Sequence, residues 1–138
     1  MASSPLFQTC INTRLNRLTR IVNEIYRKHL HGVGVSESQM SILLHVFDHH
    51  PIMQSELGKD LHLQRSTVTR NLERLVKSGY LAKKGTELRP EIHITAKGKR
   101  LVKKIQPAWE EAMEEVKTLL ASSGVTALDI LDKRILPK

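Results

Sequence analysis

The chain has 138 residues, 40% hydrophobic and 26% charged, which suits one folded domain with its own core and excludes a disordered or membrane-embedded chain. Aromatic residues make up only 4%, which argues against stacking platforms for single-stranded nucleic acid. A net charge of +8 points to a polyanionic partner, and a single cysteine, Cys10, excludes an intrachain disulfide and fits a reducing compartment.

The first predicted element is an amphipathic helix from about Pro5 to Leu30. Its stripe is Phe7, Ile11, Leu15, Leu18, Val22 and Ile25, and Gly32 and Gly34 end it. Ser36 and Gln39 then form a capping-box signature. The helix they open carries Met40, Leu43, Leu44 and Phe47 on its buried stripe and stops near His50, before Pro51. A short helix over Gln54 to Leu61 turns Leu57 and Leu61 inward. After His62 and Leu63 comes another helix, Arg65 to Ser78, with Val68, Leu72, Leu75 and Val76 on its apolar face. Gly79 is placed as its left-handed C-terminal residue. Tyr80–Lys84 and Glu91–Thr95 read as two strands around a six-residue tip, Gly85 to Pro90. Thr95 caps a long helix to about Ala121, which Pro107 should kink or divide. Ser122–Ser123–Gly124 should break it, and Thr126 with Asp129 should cap a last short helix.

The positive charge belongs to one part of this plan. Residues 63–104 hold twelve Lys and Arg against three acids, a net +9, which leaves −1 for the rest. Two short helices joined by a tight turn, then a basic hairpin, make a winged helix-turn-helix, so the predicted fold class is mainly α with a small β-hairpin wing. A helix entering the major groove needs one apolar face toward its support, and hydroxyls and long donors on the other. Gln64, Arg65, Ser66, Thr67, Thr69 and Arg70 supply the second set. Gln64 and Arg65 are the first candidates for base contacts. Ser66 and Thr67 have N-terminal capping as their alternative role, and Arg70 a salt bridge to Glu73 or Glu87. In the hairpin, Arg89 is the candidate minor-groove probe, with Lys83 and Lys84 on flanking phosphates. Lys97 and Lys99 are either backbone contacts or solvated.

The segment SELGKDLHLQRSTVTRNLERLVKSGYL, Ser55 to Leu81, resembles the helix-turn-helix core of MarR-type regulators. IHITAKGKRL, Ile92 to Leu101, resembles their second wing strand running into the next helix, and QPAWEEAMEEV, Gln106 to Val116, is also similar to a subgroup of them. The family carries an Asp-x-Arg pair in the wing. Here Glu87 and Arg89 stand in that place around Leu88, in a wing that reads as short. The resemblance implies a homodimeric repressor with intertwined first, fifth and last helices, reading a pseudo-palindromic operator. It also implies a pocket for a small-molecule effector such as a phenolic or aromatic acid. The expected layout is a single domain over 1–138, with dimerisation helices at 5–35 and 101–138 and the winged lobe at 36–100. The apolar stripes alone favour dimerisation, because a small lobe cannot bury both helices, with packing of the terminal helices against each other within one chain as the alternative.

Cys10 is a candidate redox sensor, in a position where some similar proteins carry a peroxide-sensing cysteine. Inert packing beside Ile11 and Leu15 is the other reading. His45 and His49 are four apart and His29 and His31 two apart, but no cluster has the ligand spacing of a metal site, so no metal and no cofactor is expected. The chain has no Gly-rich phosphate loop, nucleophile elbow or zinc-protease motif, so no enzyme is expected. Rival readings are a winged helix that binds protein, or an architectural DNA binder without sequence preference. No apolar run spans a bilayer, and the opening MASSPLFQTC lacks a basic region followed by an apolar one. A cytoplasmic protein with no membrane partner is expected.

Overall fold

The computed structural model describes residues 5–137, apart from the Phe7 side chain. The Met1–Ser4 part of the non-secretory reading and the Phe7 member of the first stripe lie outside the described residues. The described chain forms two compact units. One is Gly32–Pro107, and the other joins the residues up to His31 with those from Ala108. The lobe thus takes in the start of the last helix, because Leu101, Val102 and Ile105 there are buried.

In order, the elements are α1 (Pro5–Thr9), α2 (Ile11–His29), α3 (Glu37–His49), β1 (Ile52–Met53), α4 (Gln54–Asp60), α5 (Arg65–Lys77), β2 (Leu81–Gly85), β3 (Pro90–Ile94) and α6 (Ala96–Ile135). In the Gly32–Pro107 unit the Ser36 capping box forms in full. The Gln39 N–H donates to Ser36 Oγ, and the Ser36 N–H donates to Gln39 Oε1, both at 3.2 Å. The buried stripe of α3 is Met40, Ile42, Leu43 and Val46, while Leu44 and Phe47 are only half-buried. This corrects the predicted stripe. Helix α3 packs against both α5 and β3, so it buries a wider arc than one seam.

Three antiparallel strands form the sheet, in the order β1-β3-β2, where the sequence suggests two. The extra strand, β1, sets Ile52 opposite Ile92. In the hairpin Leu81 faces Ile94 and Lys83 faces Ile92, and Gly85 pairs with Pro90, so the tip is the four residues 86–89. Pro90 is tolerated because it opens its strand. Leu57, Leu72, Leu75, Leu81, Ile92 and Ile105 close the core between helices and sheet.

The other unit departs from the predicted first helix. α1 and α2 are separate, with Cys10 extended between them (φ −62°, ψ 114°). α6 continues through Pro107 in helical geometry. Its one non-helical residue is Ala121 (φ 58°, ψ 174°), and helix resumes at once rather than at Thr126. Within this unit Lys28 donates to Glu115 at 2.6 Å and His29 contacts the same carboxylate. The side-chain hydrogen bonds from Lys28 and then His29 hold the Glu115 carboxyl below the usual carboxylate range. Ala112 and Val116 are its buried core residues. Eleven of the twelve exposed large apolar side chains among the described residues also belong to this unit, so its apolar surface is far from satisfied within one chain. Among the described residues no helix is long and apolar enough to cross a membrane.

Candidate nucleic-acid interface

Two helix ends fix the recognition element. α4 ends with His62 in the left-handed region (φ 52°). The His62 N–H donates to Lys59 O at 3.3 Å and the Leu63 N–H to Gly58 O at 3.0 Å, a Schellman closure that reverses the chain toward α5. α5 ends the same way at Gly79 (φ 81°), with the Gly79 N–H on Val76 O and the Tyr80 N–H on Leu75 O, both 3.0 Å. The apolar face of α5 is buried at Val68, Leu72 and Leu75. Asn71, a polar residue on that same face, donates to Thr67 O at 3.0 Å, so its burial is satisfied within the helix.

Helix α5 begins one residue after Gln64, which is its N-cap but makes no side-chain cap bond. Ser66 and Thr67 therefore lie inside the first turn rather than at a capping position. The positive end of the helix carries no side-chain cap. A shallow concavity of about 650 Å³ along α5 is lined by Gln64, Arg65, Ser66, Thr69, Arg70 and Glu73. A larger groove of about 1090 Å³ runs from α4 and the turn to the wing, and Gln64, Arg65, Lys83 and Arg89 all line it. Gln64 and Arg65 thus belong to both. Lys59 adds to the groove's charge, so four Lys and Arg face two acids, Glu56 and Glu87. Thr67 and Lys84 line neither. Strand alternation accounts for Lys84: Lys83 shares a face with Leu81, and Lys84 points to the other side.

Arg70 is exposed, and among the described residues it makes no ion pair with Glu73 or Glu87. The Thr69 hydroxyl donates to Arg65 O at 2.9 Å and accepts from Gln54 Nε2 at 3.4 Å. Gln54, not singled out in the sequence, thereby ties the start of α4 to α5, and its Oε1 is buried without a partner. Lys97 donates to Ser78 O at 2.7 Å and lies over the Tyr80 ring, so it closes the end of α5. At the wing tip the Arg89 N–H donates to Thr86 Oγ1 at 3.1 Å, and Leu88 between Glu87 and Arg89 is 94% exposed. Leu88 is the one apolar side chain of the 86–89 tip. Its signal was in the sequence, as an apolar residue inside a polar turn.

Cys10 is exposed, contrary to packing beside Ile11 and Leu15 within the chain. The Thr13 hydroxyl, then the Thr13 and Asn12 backbone, hold its thiol below the ordinary range. His45 bonds Asp60 at 3.0 Å and stacks on His49, and among the described residues no three His, Cys, Asp or Glu are arranged to hold a metal.

A sequence model of the MarR family matches residues 35–85. HTH-type transcriptional regulators of Bacillus cereus and Bacillus anthracis, themselves uncharacterized, are 27% identical over 94 residues, which is 68% of this chain. The match spans 64% of the length of these relatives. Among solved structures, a variant of Escherichia coli MarR in complex with operator DNA superposes with a TM-score of 0.83 at 21% identity, over 98% of this chain and all of that one. PcaV from Streptomyces coelicolor with its natural ligand gives 0.82 at 20% identity, over 98% and 96% of the two chains. CouR from Rhodococcus jostii, bound to p-coumaroyl-CoA, gives 0.80 at 19%, over 98% of each. At these identities the superpositions speak for the fold, and the 35–85 match speaks for the helix-turn-helix within it. On the two together, residues 35–85 match the MarR family model, and the chain has the winged helix-turn-helix fold of solved MarR-type structures.

Proposed function

We propose that the protein is a sequence-specific, double-stranded DNA-binding transcriptional repressor that binds a pseudo-palindromic operator as a homodimer. The observation that carries this reading is the groove in which Gln64 and Arg65 of α5 meet Lys83 and Arg89 of the wing. A helix start with long donors suits base edges in the major groove, and the wing cations suit the adjacent backbone and minor groove. The +9 of residues 63–104 supports the same partner. Two lobes on one operator follow from pairing the apolar surface that each copy leaves exposed. Release by a small-molecule effector is the regulation that PcaV and CouR, crystallised with their ligands, suggest for this fold. The exposure and lowered pKa of Cys10 favour a second trigger, oxidation of that thiol.

The test is selection of bound duplexes from a random pool near physiological salt. An enriched pseudo-palindrome with half-sites about one helical turn apart is the expected result. Weak, steeply salt-dependent binding without enrichment would replace this reading with an architectural role, and no binding at all with a protein-interaction role.

A further inference from the structure

The exposed apolar stripes of α2 and of the α6 tail each contain one charge. Along α2, Arg14 has Ile11 three residues before it, Leu18 four after and Ile21 seven after. Those spacings put all four on one side of the helix. Along the tail of α6, Asp132 has Leu128 four residues before it, Ile135 and Leu136 three and four after, and Asp129 three before at the edge of the stripe. The six apolar neighbours are each 46–70% exposed. Arg20, by contrast, has Asn16 and Glu24 at four residues and Arg17 and Asn23 at three, a wet face. Among the described residues neither Arg14 nor Asp132 makes an ion pair within the chain.

We infer that Arg14 of one protomer pairs with Asp132 of the partner protomer, twice per dimer, and that this pair sets the register of the homodimer. The inference rests on the homodimer proposed above. The occupant is a second copy, for two reasons. The eleven exposed large apolar side chains leave on the order of 1,000 Å² per chain, at roughly 100 Å² each, against the ~800 Å² per partner of a standard stable interface. The charges are also complementary. A charge buried inside an apolar seam must find an opposite one, since an unpaired ion there is expensive. One Arg in the first stripe and one Asp in the second satisfy each other across a two-fold axis with nothing left over, because residue i meets j while j meets i.

The test is charge reversal with complementation between chains. Arg14→Asp places two carboxylates in each contact and Asp132→Arg two guanidiniums, and the two-fold axis doubles either effect. About tenfold weakening per contact becomes about a hundredfold in dimer Kd. The two variants are mixed, or co-expressed with different tags if either is insoluble alone, and the species are sized by sedimentation. The expected result is a heterodimer as tight as wild type, since each of its contacts again joins opposite charges. Two weak homodimers with no heterodimer, or single variants as tight as wild type, would overturn the pair and leave the homodimer standing. A wild-type chain that sediments as a monomer at micromolar concentration would overturn the homodimer itself.

Discussion

Replacing Gly98 with alanine sets two opposing effects against each other, and their sizes can be read from the structure. Gly98 lies in the first turn of α6, where its N–H donates to Thr95 Oγ1 at 3.0 Å. By helix propensity alone, Gly→Ala there should stabilise by about 1 kcal/mol. A Cβ on Gly98 would instead stand 2.2 Å from Tyr80 O and 2.8 Å from Ile94 Cγ1. That carbonyl cannot retreat freely, because it accepts the Thr95 N–H at 3.1 Å and shares the Thr95 hydroxyl, at 3.0 Å, with Gly79 O at 2.6 Å. Relief requires α6 to lift from the α5–β2 junction by roughly 1 Å, which strains packing by about 1–3 kcal/mol. It also loosens two hydrogen bonds of about 1 kcal/mol each. The net expectation is destabilisation of about 2–4 kcal/mol, opposite in sign to the propensity effect. Urea unfolding followed by circular dichroism, at one fixed protomer concentration, measures it. Gly58→Ala is the control: its Cβ would meet Val68 Cγ2 at 3.4 Å, close to ordinary contact, so stability should stay within about 1 kcal/mol of wild type. A Gly98→Ala protein as stable as wild type, or more so, would refute the claim that this carbonyl holds the wing junction.

Three further outcomes bear on the site. Arg65→Ala should cost about 1–3 kcal/mol on the selected operator and relax sequence preference there, measured by fluorescence anisotropy on operator and random duplexes; an equal loss on both would reduce Arg65 to a phosphate contact. Arg89→Ala should weaken operator binding and lower the slope of log K against log salt by about one, and unchanged affinity would mean that the wing tip does not reach DNA. The lowered Cys10 pKa means that its thiolate is present at lower pH than in an ordinary thiol, so the midpoint of iodoacetamide alkylation against pH should fall below that of cysteine in a short unstructured peptide measured alongside. Thr13→Val should move that midpoint up, and a wild-type midpoint at or above the ordinary value would contradict the assignment.

What could be read in advance follows from how local each signal is. The capping box at Ser36 and the left-handed Gly79 involve neighbours in sequence, and both form as expected. β1 is two residues long and exists only because β3 passes beside it, so no alternation could announce it. The predicted stripe of α3 is one seam, but α5 and β3 both pack on that helix, and Ile42 and Val46 are buried as well. The break at Cys10 carries no Gly or Pro. The turn at Ala121 puts a Cβ in a region where glycine is favoured, while the residue with the expected signal, Gly124, sits in regular helix three positions later.

The candidate site shows the same division more sharply, because charge in a sequence has no direction. Counting cations treats Lys83, Lys84 and Lys97 alike. Strand alternation sends the first toward the groove and the second away, and the third is used up on Ser78 O and the Tyr80 ring. The hydroxyls divide in the same way: Thr69 is tied to Arg65 O and Gln54, which leaves it a brace for α5 as much as a contact. The side chains that remain turned to the groove are Gln64, Arg65, Lys83 and Arg89, two from the helix start and two from the wing. A helix donor and a wing cation on one wall can engage base edges and the flanking groove in a single register. On the proposed function, the net charge of the segment would attract DNA in general, and the spacing of these four side chains is what would make a preferred sequence possible.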